Sequence, residues 1–244
     1  MQRYMTQIIP LSEGTFTIGR DKIFHPFDPD RETLTDRPTG SLLVEVQPFV
    51  VTNEKDIILL DTGLGFNNPD GKCHLEQNLL QHHLHPEQVT KVLLSHLHKD
   101  HAGGLDVALF PNASFYVYKN ELAYAERIGF PSYYPEELAP LKTNPRVVWL
   151  EGEEGSIDDY IHFEHTNGHC PEHIVFKIET ETGIIFYGGD EAPQYKQMRF
   201  KYIAKYDFDG RKAMELRAKW AAQGKEEGWR FLFYHDVKTP VASM

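Results

Sequence analysis

Between positions 96 and 101 the chain places His96, His98, Asp100 and His101, in the run SHLHKDHAGG (residues 95–104). Imidazole and carboxylate are donors that borderline divalent ions such as zinc accept readily. The run follows an apolar stretch, Val89 to Ser95, that reads as a buried strand. A chain leaving a strand can turn sharply, so the imidazoles of His-x-His can converge on one ion. Asp100 and His101 can then face a neighbouring position. One ion needs more donors than this loop can aim at it, so later strands are expected to end in His or Asp. They do. His169 follows a strand and a glycine in FEHTNGHCPEH, Asp190 ends the apolar IIFYGGD, and His235 lies at the end of FLFYHD. Placing such groups at the tips of buried strands builds a site on a rigid scaffold. Core histidines and turn aspartates would have to give this ordered series by chance.

The series His-x-His-x-Asp-His, a distant Gly-His, an Asp after an apolar strand and a C-terminal His resembles the metallo-β-lactamase-fold hydrolase superfamily. LLDTG at 59–63 matches that family's early Asp motif, and the resemblance runs from about Ser41 to Val237. It implies an α/β fold, a four-layer αβ/βα sandwich with the metals at one edge of the paired sheets. It also implies that His96, His98 and His169 bind a first metal, and Asp100, His101 and His235 a second, with Asp190 bridging. Asp61 would sit behind the ligands and orient a ligand loop. Asp-Thr-Gly also occurs in aspartic proteases, but those need two such aspartates, and no second DTG or DSG is present.

The resemblance further implies a dinuclear-metal hydrolase in which a metal-bridging hydroxide attacks an ester or lactone carbonyl. Asp100 would be the catalytic carboxylate that orients the hydroxide or passes its proton on. The cofactors would be two divalent ions, zinc first, with manganese, iron and cobalt also compatible with such donors. His98 stands where the diiron flavoprotein branch has Glu, which argues against oxygen reduction. The motifs lie nearest to the lactonase-like branch. Two positions depart from it: Pro193 occupies the place of a substrate-contacting tyrosine, with Tyr195 two residues on, and Lys99 the place of an apolar residue. The expected partner is therefore a small-molecule ester, lactone or thioester, with Tyr195, Phe24 and Phe27 as substrate-facing side chains. A glyoxalase II-like thioesterase is the alternative, and Arg211, Lys212, Arg217 and Lys219 could supply its basic grip. A non-catalytic metal-binding protein on the same scaffold is the second alternative, although every metal position is filled.

These residues need a scaffold that holds strand ends together. The chain has 244 residues, 41% hydrophobic and 25% charged, enough for a substantial core without disulfides. One domain over residues 1–244 is expected, with 21–40, rich in Pro and Asp, as a flap or loop. Strand patterns cover Gln7 to Gly19, the two runs flanking a polar turn at Asn53 to Lys55, and Ser114 to Tyr118. Others are a meander from Tyr160 to Asp190 and a last strand ending near His235. Helical patterns cover Leu75 to His85, Asn120 to Ile128 and Asp209 to Gln223. The net charge of −11 disfavours a nucleic-acid surface. No apolar run approaches the ~18 residues of a membrane span. No leader pattern opens the sequence, and Cys73 and Cys170 make no disulfide framework. A cytoplasmic protein with no membrane partner is expected.

Overall fold

The computed structural model describes residues 5–68 and 71–244; residues 1–4, on which part of the leader reading rests, lie outside them. Two six-stranded sheets dominate. The first runs, in spatial order, Gln7–Pro10, Phe49–Thr52, Ile57–Leu60, Lys91–Leu93, Ser114–Tyr118 and Val147–Leu150. Its first three strands are antiparallel neighbours and the rest pair in parallel. The second runs Glu154–Ile157, Ile161–His165, Ile174–Thr180, Gly183–Tyr187, Arg230–Leu232 and Val241–Ala242. It is antiparallel apart from the parallel pair Gly183–Tyr187 and Arg230–Leu232.

Side chains alternate across a strand, and the three apolar clusters follow that period. Phe49, Val51, Ile58 and Leu60 face Ile161, Phe163, Phe176, Ile178 and Tyr187 between the two sheets. The intervening Val50, Leu59, Val92 and Phe115 face outward onto Leu75, Leu79, Leu122 and Ala125 of helices His74–Gln81 and Lys119–Ile128. On the far side Val175, Phe186 and Phe231 pack on Trp220 of the helix Gly210–Glu227. The result is helix, sheet, sheet, helix, the expected αβ/βα sandwich. Asp209 starts that last helix by accepting the Lys212 N–H, and Gly228, in the left-handed region, ends it.

Two stretches that read as continuous strands are broken. Residues 42–52 divide at Gln47 and Pro48, because proline has no N–H for the ladder. Leu42–Val46 joins a small third sheet with Gly14–Ile18 and Phe24–Pro26, while Phe49–Thr52 stays in the first large sheet. The expected single strand from Gln7 to Gly19 likewise divides into Gln7–Pro10 and Gly14–Ile18, which lie in different sheets. The segment expected to be irregular, 21–40, contributes the strand Phe24–Pro26. Beyond Asp28 it is a series of turns. Among the described residues no helix is long and apolar enough to cross a membrane.

The topology fixes where the site must be. Ile57–Leu60 and Lys91–Leu93 run in parallel side by side, so Asp61 and the 95–101 loop leave the first sheet at one edge. Gly183–Tyr187 and Arg230–Leu232 do the same for Asp190 and His235 in the second sheet. Ile161–His165, two antiparallel steps from Gly183–Tyr187, delivers His169 to that same edge.

Candidate metal centre

Seven side chains meet there in two groups of four that share one member. His96, His98, His169 and Asp190 form one group, and Asp100, His101, Asp190 and His235 the other. Within each group the donor atoms lie within 4.8 Å of one another, a grouping that could hold a metal ion. His96 Nε2 and His169 Nε2 stand 2.8 and 3.2 Å from His98 Nδ1. Asp190 turns Oδ2 toward His169 Nε2, at 3.3 Å, and Oδ1 toward His101 Nε2 and His235 Nε2, at 3.2 and 2.9 Å. Asp100 Oδ2 closes the second group, 3.4 Å from His235 Nε2 and 3.7 Å from His101 Nε2.

What lies behind the imidazoles decides which nitrogen carries the proton. His101 Nδ1–H donates to Asp61 Oδ2 at 2.7 Å, and His169 Nδ1–H to Asp207 Oδ1 at 3.1 Å. His235 Nδ1–H donates to the Glu45 carbonyl at 2.6 Å. Ser95 Oγ–H donates to Asp61 Oδ2, which leaves the Ser95 oxygen to accept His96 Nδ1–H at 3.0 Å. Four Nε2 lone pairs are thereby aimed at the cluster. His101 Nε2 and Asp190 Oδ1 are buried without a hydrogen-bond partner. Facing lone pairs repel unless a cation lies between them, so the donor set fits two divalent ions with nitrogen and oxygen shells.

The profile of the metallo-beta-lactamase superfamily matches residues 43–235. The chain belongs to this superfamily. Three solved structures share the fold. A probable metal-dependent hydrolase from Staphylococcus aureus aligns with a TM-score of 0.78 at 18% identity, over 100% of this chain and 94% of that one. The hydrolase AbOPH of the beta lactamase superfamily gives 0.75 at 24% identity, over 100% and 93%. AidC, a dizinc quorum-quenching lactonase in complex with a product, N-hexnoyl-L-homoserine, gives 0.69 at 19% identity, over 100% and 92%. No curated protein sequence matches the chain.

In this metallo-β-lactamase superfamily member the two donor groups differ electrostatically. Burial, then the neighbouring imidazoles, hold the His96 proton affinity well below the usual range. Burial and His169 hold His98 at about 3. In the other group burial also opposes charge, but Asp190 and Asp100 outweigh it, raising His101 to about 10 and His235 well above the ordinary value. His96 and His98 thus offer neutral lone pairs, whereas His169, His101 and His235 sit beside carboxylates that attract positive charge. A cation entering the second group displaces protons.

The carboxylate of Asp61 is fully buried and bonded from three elements: Ser95 through N–H and Oγ–H, His101, and the Tyr187 hydroxyl. Its backbone lies in the left-handed region, with φ of 56°. Gly189, φ 47°, passes so close to Ser95 and His173 that a Cβ would stand 2.6 Å from Ser95 Oγ.

The substrate-facing residues read from sequence fare differently. Tyr195 is not brought to the cluster. It opens the short helix Tyr195–Arg199, whose turn packs its ring on Phe233 at 5.8 Å in the outer core. Its hydroxyl accepts from Arg199. Tyr206 is among the tyrosines that do lie beside the donors, its ring 6.0 Å from that of His169. Phe27 is buried, with its backbone N–H on Thr15. Phe24 packs edge-on against Phe16 and lies beneath the Lys99 ammonium. The basic helix is also occupied: Arg217 is buried, donating to the Glu191 and Tyr202 carbonyls, while Lys212 and Lys219 bond Asn167 and Glu164.

Sequence reading missed the supports. Asp207, Glu191, Tyr187 and Tyr234 all touch the donor loops. Glu191 Oε2 accepts the His169 N–H at 2.9 Å, and Tyr234 stacks on His101 with ring centroids 4.0 Å apart. Cys170 Sγ points to Glu121 Oε1 at 3.8 Å rather than into the cluster. His173 Nε2 accepts the Asp190 N–H at 3.2 Å. Adjacency in sequence could have suggested two of the supports, since Glu191 follows Asp190 and Tyr234 precedes His235.

Proposed function

We propose that the chain is a dinuclear-metal hydrolase acting on a small ester or lactone. The observation that carries this is the pair of four-donor groups sharing Asp190. In this reading His96, His98 and His169 hold one ion, Asp100, His101 and His235 the other, and Asp190 spans both. Two such ions, zinc in the first instance, would polarise the carbonyl and supply a nucleophilic water near neutral pH.

The protein's own part is to hold that geometry and to move one proton. Asp100 is the carboxylate placed for it, at the rim of the second group with Oδ2 turned to His235 and His101. Its burial keeps bulk water from competing. Tyr206 sets an aromatic ring at the His169 side, and its hydroxyl is held by Gln197 Nε2 at 3.2 Å. The solved lactonase with bound product has the same fold, which supports a small-molecule acyl substrate.

The thioesterase alternative is weakened, because Arg217, Lys212 and Lys219 are engaged elsewhere. The test is proton release from zinc-reconstituted protein on lactones, esters, a thioester and a phosphodiester, with His96→Ala as control. Turnover of lactones or esters lost in the variant supports the reading. Turnover of the thioester alone shifts it to the alternative. Silence in protein holding two metals overturns it in favour of a non-catalytic metal-binding protein.

A further inference from the structure

Lys99 stands between His98 and Asp100 and is only 8% exposed. Buried lysines are rare unless paired. Its ammonium donates to the Lys22 carbonyl at 2.5 Å and lies over the rings of Phe24 and Tyr134, at 5.5 and 5.7 Å. An ammonium has three hydrogens to donate. Among the described residues that carbonyl is its one acceptor, and no carboxylate lies within ion-pair distance.

A second cation reaches the same place. Lys22 Nζ donates to Ser132 Oγ at 2.5 Å, and the Ser132 carbonyl accepts the Lys99 N–H at 2.9 Å. Lys22 adopts a left-handed backbone, φ 58°, which turns its carbonyl toward Lys99. The next residue along, Tyr133, packs its ring 4.7 Å from that of His98. Two ammonium groups, one hydroxyl and two aromatic faces therefore gather on the flank of the first donor group. The nearby carboxylates are committed elsewhere. Asp100 belongs to the second donor group, and Asp21 is turned to the Ile23 N–H and His25.

We propose that Lys22 and Lys99 form an anion-recognition site beside the metal centre, so that the substrate carries a carboxylate or phosphate a few carbons from the bond that is cleaved. The proposal rests on the hydrolytic reading and names its substrate class. A chain of net charge −11 repels anions at long range, so a local cationic pair is what selects one. At the buried Lys99 the charge acts more strongly than in bulk solvent. Point-charge ammonium groups take carboxylate and phosphate alike.

The experiment is calorimetric binding to the full chain loaded with zinc, at low salt. Three probes are compared: glutarate, glutaramate (one carboxylate replaced by a neutral amide) and 3-phosphonopropionate. Glutarate or the phosphonate is expected to bind about tenfold more tightly than glutaramate. Lys99→Met should remove that difference and Lys99→Arg retain most of it. Lys22→Met, on the exposed strap, should reduce the difference without touching the buried position. Equal affinity for glutarate and glutaramate overturns the proposal, as does a difference that survives Lys99→Met at unchanged zinc content. A parallel assay follows the p-nitrophenyl esters of butyrate and of glutarate. No turnover with the binding preference intact refutes the hydrolytic reading while the anion site stands.

Discussion

Replacing Asp61 by asparagine changes no volume and leaves every proposed metal ligand in place, yet it should disable the second donor group. Oδ2 of Asp61 accepts from three donors, Ser95 Oγ–H, His101 Nδ1–H and the Tyr187 hydroxyl, and Oδ1 accepts the Ser95 N–H. An asparagine keeps one acceptor oxygen and turns an NH₂ to the other side. If the NH₂ faces the three donors, the two hydroxyls can rotate to accept. His101 can accept only by moving its proton to Nε2. That proton then points at Asp190 Oδ1, 3.2 Å away, where a lone pair is needed. If the amide flips, the buried Ser95 N–H loses its partner instead. Breaking a fully buried charged network of this kind costs about 3–5 kcal/mol of stability. Loss of such support weakens metal binding by about 10–100-fold. Competition against a chromophoric chelator should show one zinc site weakened by that factor, and urea denaturation of metal-free protein the stability loss. Zinc affinities within about threefold of the parent, together with stability within about 1 kcal/mol, would refute the reasoning.

Other outcomes follow from the same geometry. Gly168→Ala puts a Cβ 1.8 Å from Glu191 Oε1 and 3.1 Å from Ala213 Cα. It should displace the His169 loop, cost about 1–3 kcal/mol and lower zinc content, measured by denaturation and metal analysis. Arg217→Ala leaves the Glu191 and Tyr202 carbonyls without a donor in a buried place, and about 3–5 kcal/mol should be lost in a melting experiment. Burial raises the Glu121 carboxyl from 4.5 to about 7, so the unfolded chain releases that proton first. Its contribution to stability is full below 4.5 and declines as pH rises through about 7, by up to about 3 kcal/mol. Glu121→Gln should flatten that decline in urea titrations across the window. Chelation of the metals should abolish hydrolysis and lower the melting temperature, both restored by adding zinc.

Local pattern carried far in this chain. The sandwich was legible through the motif resemblance; Phe49–Thr52 and Ile57–Leu60 are almost wholly apolar, so which of their side chains face inward and which outward was decided by the fold. The strand Ser114–Tyr118 is legible to the residue, since its apolar run is bounded by polar turns. The breaks at Gln47–Pro48 and after Pro10 were not read, although proline in each is the local sign of them. Tyr195, expected to face substrate, lies on a short helix that packs its ring on Phe233, and five residues carry too little periodicity to reveal such an element.

The sequence by itself picked out the seven side chains that the fold brings together. His96, His98, Asp100, His101, His169, Asp190 and His235 announce themselves by residue type at the ends of apolar runs, and a strand end is a local property. Tertiary structure alone decided what stands behind and beside them. Asp61 meets Tyr187 across 126 positions, and Lys22 meets Ser132 across 110. Such contacts depend on which strands run in parallel and how two sheets face each other, and no window of sequence contains that information. The proton positions on the imidazoles, and the cationic flank at Lys22 and Lys99, are products of that long-range packing.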